Sequence, residues 1–333
     1  MSIVANTLET LALGESVIHE NLAMFPLLGG RHGEPPYDTL REALDAGTVE
    51  VTEVSEGGSV PRLALANRGD KPVLVVDGEE LVGAKQNRVL NITILAPAGK
   101  TTVLPVSCVE QGRWGYRSRT FEDHGRVLFH KARAAKAAHV SECRMSSGRS
   151  DSDQGEVWSH IADKMSTMNV RSASHAMEDI YTSHAPRLEA YAKAIRPLDG
   201  QAGAIFAING QVEGIEAFAY TDTLSRLLVK IVRGYAIDAL EGSRGLVPVP
   251  APTLAKAKAL LRQVAKAPVA LYPAVGLGED LRFQSKTLSG GALSADGVLL
   301  HLCAFRQAQA TSRPADDGGT IHRRTGGRNH IIE

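Results

Sequence analysis

Between Pro72 and Trp114 the chain gathers residue types that can hold and act on a small anion: Glu79, Glu80, Lys85, Gln86, Asn87, Arg88, Glu110, Arg113 and Trp114. Arg88 and Arg113 can each grip an oxyanion through two parallel donors, Lys85 adds a point charge, and Trp114 offers a face to a flat ring. Gln86 and Asn87 bring amide donors and acceptors. Glu79, Glu80 and Glu110 are the carboxylates available as a general base or as ligands for a hard divalent cation. Neighbouring strand residues point to opposite faces, so only one of Glu79 and Glu80 can line a given pocket.

Three strands would have to position these groups. Pro72 to Val76 is short, apolar and β-branched, and Asp77-Gly78 is a tight-turn dipeptide. Asn87 to Leu95 alternates, with Arg88, Leu90, Ile92 and Ile94 on the face expected to meet the core. Thr101 to Glu110 returns after the Pro97–Lys100 turn and carries Leu104, Val106, Cys108 and Glu110 on one face. Like faces of a hairpin must coincide, which sets Leu104 and Val106 beside Ile92 and Leu90. Two registers satisfy this, one placing Arg88 opposite Cys108 and the other opposite Glu110. Opposed Cβ atoms lie about 5 Å apart and diagonal ones about 7–8 Å, so either register allows an Arg88–Glu110 ion pair at the rim of the apolar stripe.

A structural reading competes with the functional one. Arg88–Glu110 can be a plain ion pair, Lys85-Gln86 a solvated turn and Trp114 a core anchor. Cys108 shares a face with Leu104 and Val106 and reads as a packing thiol, while Ser107 lacks a nearby histidine. His160, His175 and His184 show no metal-ligand spacing on one helix, and no metal site is read from the sequence.

The 333 residues, 43% of them hydrophobic, suffice for one large domain or two smaller ones. Lysine plus arginine equals aspartate plus glutamate at 37 each, a balance that excludes a dedicated nucleic-acid binder. No run is long enough to span a membrane and the N-terminus is acidic, so a soluble, cytoplasmic protein is expected. Cys108, Cys143 and Cys303 are odd in number and widely spaced, which indicates neither a disulfide framework nor a CxxC metal site.

Residues 15–28 read as a strand pair, Tyr37 to Ala46 as a short helix opened by Asp38 or Thr39, and Thr48–Val54 and Val60–Asn67 as strands. Val127 to Met145 is a basic helix whose charged face is expected to be solvated. Helices follow near 155–167, 174–183 and 185–195. A hairpin folded at Asn209-Gly210 covers Gln201 to Phe218, and helices span Thr221–Leu240 and Thr253–Lys266. Strands near 280–285, 290–295 and 298–305 close the chain, the last two joined at Asp296-Gly297. Spacing does not bring Glu216, Arg233, Tyr235 or Arg282 to the site.

The expected fold is α+β. A β-rich part, an antiparallel sandwich or partly open barrel, spans 1–125 and carries the site. A helical segment spans 126–200, a second antiparallel hairpin-and-helix layer spans 201–306, and a disordered tail spans 307–333.

The runs GEELVGAKQNR at 78–88 and PVSCVEQGRW at 105–114, with QGEVWSHIADK at 154–164, GAIFAINGQVEGIEAF at 203–218, RGYAIDAL at 233–240, GLGEDLRF at 276–283 and HLCAF at 301–305, resemble the ARG and rhodanese-phosphatase-superfamily-associated protein domain family. That family is named for its association with ADP-ribosylglycohydrolases and phosphatases. The resemblance therefore implies a role near NAD- or ADP-ribose-derived metabolites, and it carries over no catalytic residue. Two readings stay open: a hydrolase or transferase acting on a phosphorylated metabolite of this kind, and a non-catalytic binding or assembly module. The expected partner is a small anionic metabolite, with no nucleic acid and no membrane. A divalent cation as cofactor and a homo-oligomeric state are left open.

Overall fold

Leu22–Leu28 (LAMFPLL) and Gln201–Ile208 (QAGAIFAI) are apolar at nearly every position because the sheet they join is covered on both faces. In the computed structural model, which describes residues 2–242 and 251–307, they are neighbours in a nine-stranded antiparallel sheet. Phe25 and Ile205 pack on one side with Val4, Leu8, Leu260 and Val264 from the helices Ile3–Glu9 and Leu254–Ala265. Met24 and Phe206 pack on the other with Leu224, Leu228 and Tyr235 of the helix Thr221–Gly242. Burying one such large side chain stabilises by about 1.5–3 kcal/mol, so this two-sided packing is a main source of stability.

The hairpins form where the turn residues place them. Asn209 and Gly210 have φ of 51° and 72°, and Asp296 and Gly297 have 49° and 73°, as a two-residue turn matched to strand twist requires. The helix expected after Tyr37 is Leu40–Asp45; it is capped by Thr39 and Glu42 in a reciprocal box and followed by Gly47 at φ 67°.

A six-stranded sheet runs in the order Phe121–Val127, Glu79–Gly83, Arg88–Leu90, Thr101–Cys108, Arg62–Asn67, Val49–Glu53. A three-stranded sheet adds Ile94–Ala96, Val73–Val75 and Asp38–Thr39, the last pair parallel. Together they enclose a core of Val51, Leu63, Leu65, Val75, Leu81, Leu90, Leu104 and Phe121. The α+β class holds.

Three expectations need correction. Asn87–Leu95 is not one strand: the chain leaves the ladder at Asn91–Thr93, where Asn91 bonds to Ser107 and Ser150 and Thr93 to Asp77 and His301. Leu104 therefore lies opposite Leu63, and only Val106 meets Leu90. The basic helix, His130–Ser147, does not present a solvated charged face, since Arg133, Lys136 and Arg144 are buried against carboxylates of other elements. The short edge strand Ala270–Pro273 was not foreseen. The tail expected at 307–333 lies, beyond Gln307, outside the described residues. Among the described residues no helix is long and apolar enough to cross a membrane.

Candidate functional site

Of the two registers, the structure adopts the one with Arg88 opposite Cys108. The strand ends at Cys108, and Glu110 turns away to bridge Ala176, which breaks the alternation that would have pointed it at Arg88. Arg113 takes Glu110 instead, with Nε to Oε1 at 2.9 Å and Nη2 to Oε2 at 2.6 Å. Ser174 Oγ and the Asn87 N–H complete its shell. Burial disfavours charge on Glu110, but Arg113, Ser174 and Asn87 outweigh it and hold the carboxyl below its ordinary value. The expected Arg88–Glu110 pair is thus replaced by Arg113–Glu110. Arg113 also donates to the Ala84 carbonyl and to Asn87 Oδ1, which fixes the turn at 83–87.

Arg88 is fully buried and faces Glu53, whose Oε1 lies 3.9 Å from Nη2. Its Nη1 donates to the Gln86 carbonyl at 2.7 Å. Its Nε and Nη2, which share one edge of the guanidinium, have no hydrogen-bond partner, and neither has either oxygen of Glu53. Burial, more than any neighbour, lowers the Arg88 pKa. Trp114, half exposed, lies over the guanidinium at 5.6 Å, and Lys85 Nζ sits over the Trp114 and Tyr116 rings at 5.5 and 5.0 Å. Lys85, Gln86, Asn87, Arg88, Arg113 and Trp114 are therefore brought together, with Gln86 bonded to the Glu110 carbonyl. Glu53 is a member that sequence reasoning missed. Its signal was parity: in VEVTE it falls on the same face as Val49 and Val51.

Glu79 and Glu80 lie apart from this corner. Glu79 accepts from Lys230 Nζ at 2.7 Å, and Asp123 accepts from the same ammonium at 2.8 Å. Burial raises the Glu79 pKa against the pull of Lys230, with Asp123 adding to the rise. Glu80 has only Arg126 Nη1 at 3.6 Å, and burial, opposed by Arg126 and reinforced by Glu178, pushes it up to about 8. A carboxyl titrating there suits a general acid, yet Glu80 is fully buried and lines neither of the two described cavities.

Cys108 is buried, and burial pushes its thiol up to about 11 despite Arg88 beside it. In the native chain at neutral pH, thiol reagents should label the half-buried Cys143 at least about 100-fold faster than Cys108. Comparable rates by mass spectrometry would show Cys108 to be reactive.

Among the described residues a second dense cluster of buried charge lies away from the predicted corner. Asp77 accepts from Arg133 Nε at 3.2 Å and from Lys136 Nζ at 2.7 Å, and Arg133 Nη1 reaches Glu216 at 2.6 Å. Glu216 also meets His301 Nε2 at 3.1 Å, His301 Nδ1 meets Thr93 Oγ1 at 2.7 Å, and Thr93 accepts the Asp77 N–H at 3.0 Å. This closed ring ties Asp77 and Thr93 to the helix His130–Ser147 and to the nine-stranded sheet. Beside it lies a void lined by Asp77, Thr93, Arg282 and Cys303, too tight for a water molecule. Glu216, His301 and Cys303 form the one described group whose ligand atoms converge within 4.8 Å as for a metal. The cations Arg133, Lys136 and Arg282 around them disfavour another positive charge there, and burial raises the Cys303 thiol far above its ordinary value.

An open cavity of 340 Å³ lies elsewhere, between Arg41, Asp45, Glu50, Glu122 and Asp123. Its carboxylates outnumber its single arginine, so it has the wrong sign for an anionic metabolite.

The fold and these sites define an α+β protein with an aromatic-capped arginine corner and a charged core. The chain belongs to the family of the ARG and Rhodanese-Phosphatase-superfamily-associated Protein domain, which matches residues 10–305. Comparison with curated proteins and with solved structures brings no match.

Proposed function

We propose that the chain is a metabolite-binding protein that holds an anionic, NAD- or ADP-ribose-derived ligand at the Arg88–Trp114 corner without turning it over. The observation that carries this reading is the edge of Arg88 that makes no hydrogen bond, buried beneath an aromatic ring with Lys85 beside it; Arg88 lines neither described cavity, so a ligand reaches it only as the surrounding loops move. A buried donor left without a partner costs about 1–3 kcal/mol, a cost that a ligand oxygen would remove. The family name is consistent with a role alongside ADP-ribose-processing enzymes.

Three observations speak against catalysis by the candidate carboxylates. Glu79 is bound to Lys230, Glu110 is bound to Arg113 and Ser174, and Glu80 is fully buried and lines neither described cavity. A hydrolase or transferase stays as the second reading, supported by the Glu80 carboxyl that titrates near 8.

Thermal shift and calorimetry with ADP-ribose, with and without Mg²⁺, test the proposal, since a ligand preferring the native state raises its melting temperature. Arg88→Lys, which keeps the charge but loses the fork, and Trp114→Ala should each weaken binding by about 10-fold or more. No shift at millimolar ADP-ribose, NAD or nicotinamide mononucleotide would remove the reading. Release of free ribose phosphate or AMP during the titration would replace it with the enzymatic one.

A further inference from the structure

The tip of the loop after Glu53 packs against Lys85, Trp114 and Glu53 itself, the residues around Arg88. Gly58, at φ +75°, sits so close that a Cβ there would meet Lys85 Cδ at 3.1 Å, Glu53 Oε2 at 3.3 Å and Trp114 Cζ2 at 3.3 Å. The tip is held by bonds at its surface: Lys85 Nζ donates to the Gly57 carbonyl at 2.7 Å and Tyr116 Oη to the Glu56 carbonyl at 3.2 Å. Each such exposed bond contributes little net stability, because water replaces it readily. Two consecutive glycines give the tip backbone freedom without side chains to withdraw from the core. Gly58 thus forms a plug between Trp114 and a polar floor of Glu53 and its neighbour Arg88, whose guanidinium Trp114 itself covers at 5.6 Å.

The floor offers two kinds of hydrogen-bonding group side by side. Arg88 presents unpartnered N–H donors, and Glu53 presents unpartnered carboxylate oxygens, both nine-tenths buried or more. A carboxylate ligand would satisfy Arg88 but would face the Glu53 carboxylate at close range. A group with an acceptor next to a donor satisfies both. Displacing the plug also frees Lys85 from the Gly57 carbonyl, which leaves an ammonium at the mouth for an anionic tail.

We infer that the corner, resting on the binding role proposed above, selects a planar ring bearing an amide edge and an anionic tail. The amide oxygen is held by Arg88, its N–H by Glu53 and the tail by Lys85, and the ligand enters as Gly57-Gly58 swings out. The amide, not the acid, is the recognised form.

Nicotinamide mononucleotide and nicotinic acid mononucleotide carry the same phosphate and ring and differ only at that edge, so calorimetry with the full chain reads the preference directly. The native chain should bind the amide form about 10-fold or more tightly than the acid form. Glu53→Gln, isosteric and able to donate, should abolish or reverse that preference. Tyr116→Phe, which unlatches the plug, should tighten the amide form several-fold, because more of the chain is open before binding. Equal binding of the two nucleotides, an unchanged preference in a folded Glu53→Gln variant, or unaltered affinity in Tyr116→Phe would each overturn the inference. If ADP-ribose still binds under those results, the binding role stands and only the amide selection falls. If neither nucleotide nor ADP-ribose binds, both fall.

Discussion

Asp77→Asn is expected to cost about 3–5 kcal/mol of folding free energy, a large fraction of the roughly 5–15 kcal/mol margin of an ordinary domain. The side chain keeps its shape, so the loss is electrostatic. Asp77 is the carboxylate shared by Arg133 and Lys136, and all three are buried. Burial resists its ionisation, but Lys136 and then Arg133 outweigh that resistance and hold its pKa below the ordinary value. Lys136 has the harder position, because burial lowers its pKa and Asp77 offsets that only in part, with Arg133 repelling it. Without Asp77 the ammonium retains only the Asn91 carbonyl at 2.9 Å. Arg133 still has Glu216. The double variant Asp77→Asn/Lys136→Met removes both charges and should recover about half of the loss, since replacing a buried ion pair by apolar volume is often close to neutral. Urea melts of the four proteins of the cycle decide it. A single-variant cost below about 1 kcal/mol would show that the Asp77 carboxylate is not what sustains the two buried cations.

Asp77 also marks the limit of what one sequence tells. Its turn was readable, because Asp-Gly between two apolar runs has a local cause. Its partners were not, since Arg133 and Lys136 come from a helix whose composition reads as a solvated face, and Glu216 and His301 come from strands late in the chain. Local signals specify elements: the hairpins at Asn209-Gly210 and Asp296-Gly297 and the capped helix after Thr39 all follow from residues within a few positions of one another. Charge pairing across 50 or more positions, such as Asp77 with Lys136 or Glu216 with Arg133, depends on how sheets stack, and no periodicity encodes that.

The site corner shows the same division within one stretch. Hairpin geometry grouped Glu79, Glu80 and Glu110 with Lys85, Gln86, Asn87, Arg88, Arg113 and Trp114; the structure brings the last six and Glu110 together and leaves Glu79 and Glu80 with Lys230 and Arg126. The pairing of Arg88 did not follow, because parity holds only while the chain stays in the ladder and Glu110 has left it. Glu53, the true neighbour of Arg88, comes from a strand three places away in the sheet, separated from Arg88–Leu90 by Thr101–Cys108 and Arg62–Asn67. A glutamate in phase with Val49 and Val51 was a readable anomaly, since alternation puts it toward the core and a buried carboxylate asks for a cation.

Glu80 should make the protein less stable as pH rises through neutrality, the reverse of an ordinary ion-paired carboxylate. Its folded pKa of about 8 lies above the usual 4.5 because burial disfavours the charged form, Arg126 compensates only partly from 3.6 Å, and Glu178 adds repulsion. The folded chain therefore keeps a proton that the unfolded chain has released. Below pH 4.5 both states are protonated and the contribution is fully present; between 4.5 and about 8 the unfolded state binds fewer protons, so stability falls. At 1.36 kcal/mol per pH unit, the loss across that interval amounts to roughly 4–5 kcal/mol. Above pH 8 it levels off. Glu80→Gln mimics the protonated form at every pH and should therefore exceed the native chain in stability by about 4 kcal/mol at pH 8 and match it near pH 4.5. Denaturant melts of both proteins from pH 4.5 to 9 check the sign as well as the size. Parallel stability curves would mean that Glu80 is ionised in the folded state, and a carboxylate so buried would then need Arg126 closer than 3.6 Å to sustain its charge.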